Sequence, residues 1–519
     1  MGEVRKIEIM DTTLRDGEQT SGVSFAAQEK VSVVTLLLEE LKVDRVEIAS
    51  ARVSEGEYQA VQKIARWAKA HGYLDRVEVL GFVDGTTSLE WIANAGCKVV
   101  NLLSKGSLKH CTYQLRKTAN EHLQDVKNCI ASAHAMGMTV NLYLEDWSNG
   151  MRDSKEYVFQ MMDGLKEEPV TRFMLPDTLG VLNPDETRQF CEEMIARYPS
   201  LHFDFHAHND YDLAVANVFE AVKAGVHGVH VTVNGLGERA GNAPLTSVIA
   251  LIHDQLGLQT NVDESKLYKV SKVVESYSGV RIPVNKPIIG DNVFTQVAGI
   301  HADGDKKKNL YFNRLLPERF GRLREYALGK NAGRSNIIKN LEALGMELDD
   351  EATRKVTDRI IELGDKKEIV SPDELPYIVS DVLKNGLENQ DIQILNYSLT
   401  VSHGLRPTAT VKLSIKGEVY QETAAGEGQF HAFSKAMYKI YRSLNKPVPE
   451  LIDYEVVIPP GGKTNAYVQT VITWRFDGKV FKTRALDVDQ TVAAIKATMK
   501  MLNILESGNI PHMNYLLLP

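Results

Sequence analysis

Lys6-Ile7-Glu8-Ile9-Met10-Asp11-Thr12-Thr13-Leu14-Arg15-Asp16-Gly17-Glu18-Gln19 reads as a short apolar strand that runs straight into three carboxylates and an arginine. Charge that dense at a strand end destabilises the chain unless a metal or an anionic ligand compensates it. The stretch therefore marks a site. It also indicates the kind of sheet to expect, one whose strand C-termini carry chemistry.

Seven more strand-like runs precede residue 240, at 45–49, 77–82, 99–103, 140–144, 172–175, 202–206 and 228–233. Segments of helical periodicity lie between them, among them 28–41, 57–70, 120–136 and 211–224. Eightfold strand–helix alternation predicts an α/β fold, a (β/α)8 TIM barrel. The rival is a doubly wound open sheet. Polar residues close nearly every run: Asp11, Ser50, Asp84, Ser104, Glu145-Asp146, Asp177-Thr178, His206-Ala207-His208 and Asn234. A barrel builds its catalytic face at those positions, which favours the barrel.

The barrel is assigned to residues 1–258. A helical linker region follows over 259–388, with helical stretches at 264–278, 335–344, 351–363 and 372–383 around an irregular segment, 290–320. Residues 389–519 contain an internal repeat of the form βββα. Its first copy has strands at 392–403, 409–415 and 418–424 and a helix at 427–444; the second has strands at 451–458, 466–476 and 479–487 and a helix at 489–505. Such a duplicated α+β module suits regulation, binding a small effector at a junction between paired copies, with purely structural dimerisation as the alternative.

The chain has 519 residues, 43% apolar and 25% charged, as in a soluble globular protein. Its net charge of −8 argues against nucleic acid or an anionic membrane as the main partner. No run reaches the roughly 20 apolar residues of a membrane span. The N-terminal residues form no apolar leader, and Cys97, Cys111, Cys129 and Cys191 show no paired spacing, so a cytoplasmic protein with reduced thiols is expected.

His206 and His208 sit two apart on an extended run, so both imidazoles point one way. A lone His-x-His is more often fortuitous than a ligand pair. Across a barrel mouth from Asp16, and with Asn242 able to add an amide oxygen, the set fits a divalent-metal site that takes Zn2+, Mn2+ or Mg2+. Arg15 is either a structural ion-pair partner or a fixed cation for a developing oxyanion. Glu47, a charge inside the second strand, is assigned to hold Arg15. Tyr143, Glu145 and Thr178 close the fifth and sixth strands, with core packing or loop solvation as the alternatives for the first two. His301 precedes a lysine run at 306–308 that is either simply solvated or receives the phosphates of a nucleotide-bearing thioester. Gly235-Leu236-Gly237 lacks the third glycine of a dinucleotide fingerprint.

Three motifs resemble the signatures of the 2-isopropylmalate synthase/homocitrate synthase/citramalate synthase family: residues 11–19, His206-Ala207-His208-Asn209-Asp210, and Asn234-Gly235-Leu236-Gly237-Glu238-Arg239-Ala240-Gly241-Asn242. The resemblance spans the whole chain. It implies a Claisen-type condensation of acetyl-CoA with a 2-oxo acid, followed by thioester hydrolysis that releases CoA. It implies a metal on Asp16, His206 and His208 with Asn242 nearby, and Arg15 on the alkoxide. Glu145 and His301 become the acid–base candidates, His301 from a segment that reaches a neighbouring subunit in a homodimer. Leu80, Leu103, Tyr143, Thr178 and Asp303 would contact substrate.

Residues 43–53 and 144–150 are most similar to the citramalate-forming branch, where Leu80 and Leu103 narrow the pocket. That implies pyruvate as substrate and entry to isoleucine synthesis, with 2-oxoisovalerate as the alternative. Isoleucine would be the feedback inhibitor, bound near Ile458, Thr464 and Val468 and the facing Phe430-His431. Phe430-His431 departs from the Tyr-Asp pair of isoleucine-responsive relatives, losing a carboxylate for the effector's ammonium. From other classes, a retro-Claisen metal-dependent lyase and a non-catalytic amino-acid sensor remain open.

Overall fold

The computed structural model describes residues 5–306, 310–343, 346–365, 392–457 and 468–506, with single positions between 370 and 382. Eight parallel strands close into a barrel in sequence order: β1 (Glu8–Asp11), β2 (Arg45–Ser50), β3 (Val77–Phe82), β4 (Val99–Lys105), β5 (Thr139–Glu145), β6 (Val170–Asp177), β7 (Phe203–Ala207) and β8 (Gly228–Val231). β1 pairs with β8, so no edge remains. The open-sheet alternative is excluded. Helices pack outside, and the layer between them and the strands is the main apolar core, running from Ile7 to Phe320. Their ends follow ordinary capping chemistry. Thr118 and Glu121 form a capping box at Ala119–Ala135, and Asn183 caps Pro184–Arg197, which has proline in its first turn.

The lumen is a second, smaller core. Met10, Leu80, Tyr143 and Met174 close-pack there, with Leu103 against them. Below this layer, at the start of the strands, Arg45 lies buried among Asp204, Glu78 at 3.0 Å and Glu8 at 3.4 Å. A buried charge requires such partners. The network sits at the face opposite the chemistry, where barrel residues serve stability.

The compact units divide at Phe294. One comprises residues 1–294 and 313–323, so the helix Leu267–Ser278 packs with the barrel. The other comprises residues 295–312 and 324–519. It begins with two-residue strands β9 (Thr295–Gln296) and β10 (Glu325–Tyr326) and the helices Gly299–Lys306, Arg334–Ala343 and Asp350–Asp365. Ile337, Leu341, Val356 and Ile360 centre a small core there.

Two antiparallel three-stranded sheets follow: β11 (Ile392–Thr400), β12 (Thr408–Ile415) and β13 (Glu418–Ala425), then β14 (Glu450–Val457), β15 (Val468–Phe476) and β16 (Lys479–Asp487). Each sheet carries one helix, Gln429–Ser443 or Gln490–Glu506, so the βββα duplication is present as the sequence predicts. Equivalent hairpins confirm the repeat: Lys416-Gly417 and Asp477-Gly478 both have positive φ at both turn residues. A two-residue turn of that kind matches the strand twist and needs glycine at its second position. The stacked rings of Phe430 and Tyr454, with centroids 5.4 Å apart, join the two copies within one core.

Candidate active site

The segment after β1 folds back over the barrel mouth because one carbonyl gathers it. The Thr12 carbonyl accepts the amides of Arg15, Asp16 and Gly17 at 3.2, 2.9 and 3.0 Å. Thr13 fastens the turn to the segment after β8, its hydroxyl accepting the Val233 amide at 2.8 Å. Lys30, fully buried, ties Glu18 to Glu57 and so holds the far end of the segment against the outer helices.

This turn brings Arg15 and Asp16 together over the lumen. Arg15 donates from Nε to Glu47 at 2.6 Å, from Nη1 to Asp16 at 2.7 Å and from Nη2 to the Tyr143 oxygen at 3.3 Å. Glu47 is fully buried and also accepts from Thr12 Oγ1 at 2.7 Å and Asn101 Nδ2 at 2.8 Å. Burial opposes the Arg15 charge, but Glu47 and Asp16 outweigh it, so the guanidinium is held firmly protonated. Burial and the adjacent Glu47 charge raise Tyr143 well above the ordinary phenol range, so it remains a neutral hydroxyl.

Asp16 Oδ2 lies 3.6 Å from His206 Nε2 and 3.7 Å from His208 Nε2. Those separations are too long for hydrogen bonds. They suit ligands that share an ion at about 2.0–2.2 Å from each. One ligand atom from each residue lies within 4.8 Å of the others, and all three residues are buried. Burial alone would raise the Asp16 carboxyl, yet Arg15, then His208 and His206, hold it well below the usual carboxylate range. Burial lowers both imidazoles, His206 the further with His208 beside it, which leaves neutral rings with lone pairs to donate. The donor set therefore fits a divalent cation. Asn242 reaches this group through its nitrogen, which donates to Asp16 Oδ1 at 2.8 Å. In this arrangement Asn242 holds the carboxylate, and its amide oxygen is buried without a protein partner.

The remaining strand-end residues divide by where their bonds go. Glu145 ends β5 in an ion pair with Lys105 of β4. The Thr178 hydroxyl oxygen accepts the Asp146 amide at 2.9 Å. Asp84, Asp146 and Asp177 have other uses. Asp84 holds Ser88 and Arg52, Asp146 holds Ser107 and Asn149, and Asp177 accepts the Val181 and Leu182 amides. Polar strand ends here are thus partly loop anchors.

His301 lies in the second unit, its ring 4.3 Å from that of Tyr311. The Asp303 side chain and residues 307–309 lie outside the described residues, as do Ile458 and Thr464. Phe430 packs on Tyr454, the His431 Nδ1 accepts the Glu427 amide at 3.2 Å, and Val468 is buried at the start of β15. The sequence gives no sign of Lys105 at Glu145, of Asn101 at Glu47, or of His230, which bridges the Tyr143 oxygen at 3.1 Å and Asp204 at 3.2 Å. Asp204 had a signal, since it precedes His206 and His208 by two and four positions on the same strand face.

Residues 6–274 match the family described as HMGL-like, 288–368 the homocitrate synthase post-HMGL domain and 369–506 the LeuA allosteric (dimerisation) domain. An (R)-citramalate synthase from Methanocaldococcus jannaschii is 33% identical over 96% of this chain and 99% of its own. The chain belongs to the isopropylmalate/citramalate synthase family. This synthase is accordingly an acetyl-CoA-dependent acyltransferase of a divalent-metal-dependent family. A protein described as a probable 2-isopropylmalate synthase, from Methanopyrus kandleri, is 34% identical over 96% of this chain and 98% of its own. The 2-isopropylmalate synthase of M. jannaschii is 31% identical over 96% and 94%. Identity therefore does not separate the two branches. Among the described residues no helix of this synthase is long and apolar enough to cross a membrane.

Proposed function

We propose that this synthase condenses acetyl-CoA with pyruvate and hydrolyses the thioester to (R)-citramalate and CoA, the entry to isoleucine from pyruvate. The observation that carries the choice of pyruvate is the lumen layer beside Arg15. Leu80 and Leu103 pack with Tyr143, whose oxygen touches the guanidinium, so two branched aliphatic side chains stand where a bulky 2-oxo acid needs room. Nearly equal identity to 2-isopropylmalate synthases keeps 2-oxoisovalerate as the rival substrate.

In this reading Asp16, His206 and His208 hold the metal, with Asn242 steadying Asp16. When bound, a divalent cation (Mn2+, Mg2+ or Zn2+) supplies Lewis-acid polarisation of the keto group. Arg15 uses three of its five N–H groups on Glu47, Asp16 and Tyr143, leaving one on each Nη for the oxygen that gains charge. The Thr178 hydroxyl keeps its proton to donate to the substrate carboxylate. Glu145 takes the proton from the acetyl methyl, whose C–H electron pair becomes the carbon nucleophile. His301 serves the later attack of water on the thioester and Asp303 contacts substrate, both from a homodimer partner. Isoleucine is the proposed inhibitor of the C-terminal domain. A cytoplasmic location accords with four buried, unpaired cysteines.

Thiol release from acetyl-CoA, measured across a panel of 2-oxo acids with Mn2+ or Mg2+ and with chelator, tests the reading. Chelator-sensitive release with kcat/KM for pyruvate at least about tenfold above 2-oxoisovalerate is expected, the discrimination one or two methylenes allow. Preference for 2-oxoisovalerate would move the enzyme to the leucine branch.

A further inference from the structure

Lys105 is a buried cation for which the chemistry above has no use. β4 and β5 run in register with Asn101 opposite Asn141, Leu103 opposite Tyr143 and Lys105 opposite Glu145. Alternate residues of a strand share a face. The first of these pairs hydrogen-bonds inside the lumen at 2.9 Å, and the second belongs to the lumen cluster. Lys105 and Glu145 are therefore the next inward-facing layer, at the mouth, one step above the phenol that touches Arg15. Their exposures differ: the Lys105 side chain is 8% exposed and that of Glu145 23%. The carboxylate is the member open to a substrate, and the ammonium stands behind it.

Several groups fix the backbone that carries this lysine. The Lys105 amide donates to Nε2 of buried His122 at 3.0 Å, and its carbonyl accepts the Tyr157 hydroxyl at 3.1 Å. The Gly106 amide donates to the Glu145 carbonyl at 2.6 Å. A side chain at Gly106 would meet the Leu144 carbonyl at 2.4 Å, and one at Gly150 would meet the Gly106 carbonyl at 2.0 Å, so both glycines are needed for this close approach. These contacts leave the backbone at Lys105 little freedom, so its ammonium meets Glu145 from a fixed point.

We infer that Lys105 is a positioning residue for the condensation: its ammonium, through the ion pair, sets the Glu145 carboxylate in the orientation that takes the acetyl proton. This rests on the reading of Glu145 as the base, and the test separates the two. Steady-state kinetics of the metal-loaded enzyme are measured for Lys105→Met, Lys105→Arg, Glu145→Gln and the double variant Lys105→Met/Glu145→Gln, with folding checked by circular dichroism. Glu145→Gln is expected to lower kcat about 10²–10⁴-fold, the usual contribution of a positioned base. Lys105→Met should lower kcat about 10²-fold with both KM values within about threefold, and Lys105→Arg should regain all but about tenfold, since it restores a cation. The double variant should be no slower than Glu145→Gln alone, because groups acting as one unit are not additive. Unchanged kcat in Lys105→Met alongside a crippled Glu145→Gln overturns the inference and keeps the base. A further loss in the double variant overturns it too, showing that Lys105 acts on its own. Full activity in Glu145→Gln removes the base reading, and the inference with it. Should the methionine variant fail to fold, Lys105→Gln replaces it, with at least a tenfold loss of kcat expected and a wild-type rate counting against the inference.

Discussion

Arg15 is held by Glu47, Asp16 and Tyr143 from three directions, so its planar fork has a fixed orientation before any ligand arrives. A lysine there would keep the charge and lose the geometry. Arg15→Lys is therefore expected to lower kcat by about 10²–10³-fold, the scale of losing one preorganised oxyanion donor. Melting temperature should change little by comparison. A variant with kcat within threefold of wild type would remove Arg15 from the chemistry. Leu80 makes a second prediction at this scale. It is 5% exposed in the lumen layer, so Leu80→Ala should cost about 2–5 kcal/mol of stability. It should also shift kcat/KM toward 2-oxoisovalerate relative to pyruvate by about tenfold or more. An unchanged ratio would take Leu80 out of the substrate wall. Both residues stood out in the chain itself. Glu47 was legible too, since a charge inside a barrel strand demands a cation, and Arg15 meets it at 2.6 Å.

At the scale of elements, the strands were readable because apolar runs recur with helices between them, and their polar ends marked the barrel mouth without showing which of those side chains face the lumen. β4 and β5 extend to Lys105 and Glu145, past where the apolar runs at 99–103 and 140–144 stop. Charge at a strand end looks like loop until closure of the barrel shows that the side chain faces the lumen. Asn101 and His230 were obscured for the same reason: which strand face is inward becomes definite only when all eight strands are in register. His122 on the helix Ala119–Ala135 illustrates the energetics of such an end. Burial pushes its imidazole down to about 4, and its neutral Nε2 accepts the Lys105 amide. The folded value lies below the unfolded one of about 6.5, so this contribution is complete above pH 6.5 and is lost as pH falls toward 4. The loss should reach roughly 3 kcal/mol. Gln keeps an acceptor and cannot titrate, so urea unfolding of His122→Gln should show a correspondingly shallower fall between pH 7 and 4. Parallel curves for the two proteins would show that His122 does not carry this dependence.

For the whole molecule, the barrel carries the candidate active site and a duplicated module follows it, matched to an allosteric dimerisation domain. Where the two repeats meet, Phe430 stacks on Tyr454, and His431 sits one residue on, in the first turn of Gln429–Ser443. An amino acid presents an ammonium as well as a side chain, and no carboxylate stands at Phe430 or His431 to receive it. Isoleucine is therefore expected to bind this synthase weakly through the proposed pocket. His431→Asp should tighten it at least about tenfold, the worth of one charge-assisted hydrogen bond. The substitution suits its position, because an aspartate in the first turn of a helix interacts favourably with the helix dipole, so the fold should tolerate it. Calorimetric titration of wild type and variant with isoleucine and with leucine decides the matter. Tighter isoleucine binding in the variant, with inhibition of CoA release, would place the effector between the repeats and support the isoleucine branch. Affinity unchanged by the new carboxylate would remove Phe430-His431 from the effector site. Leucine bound ahead of isoleucine in both proteins would instead tie the regulation to the leucine branch.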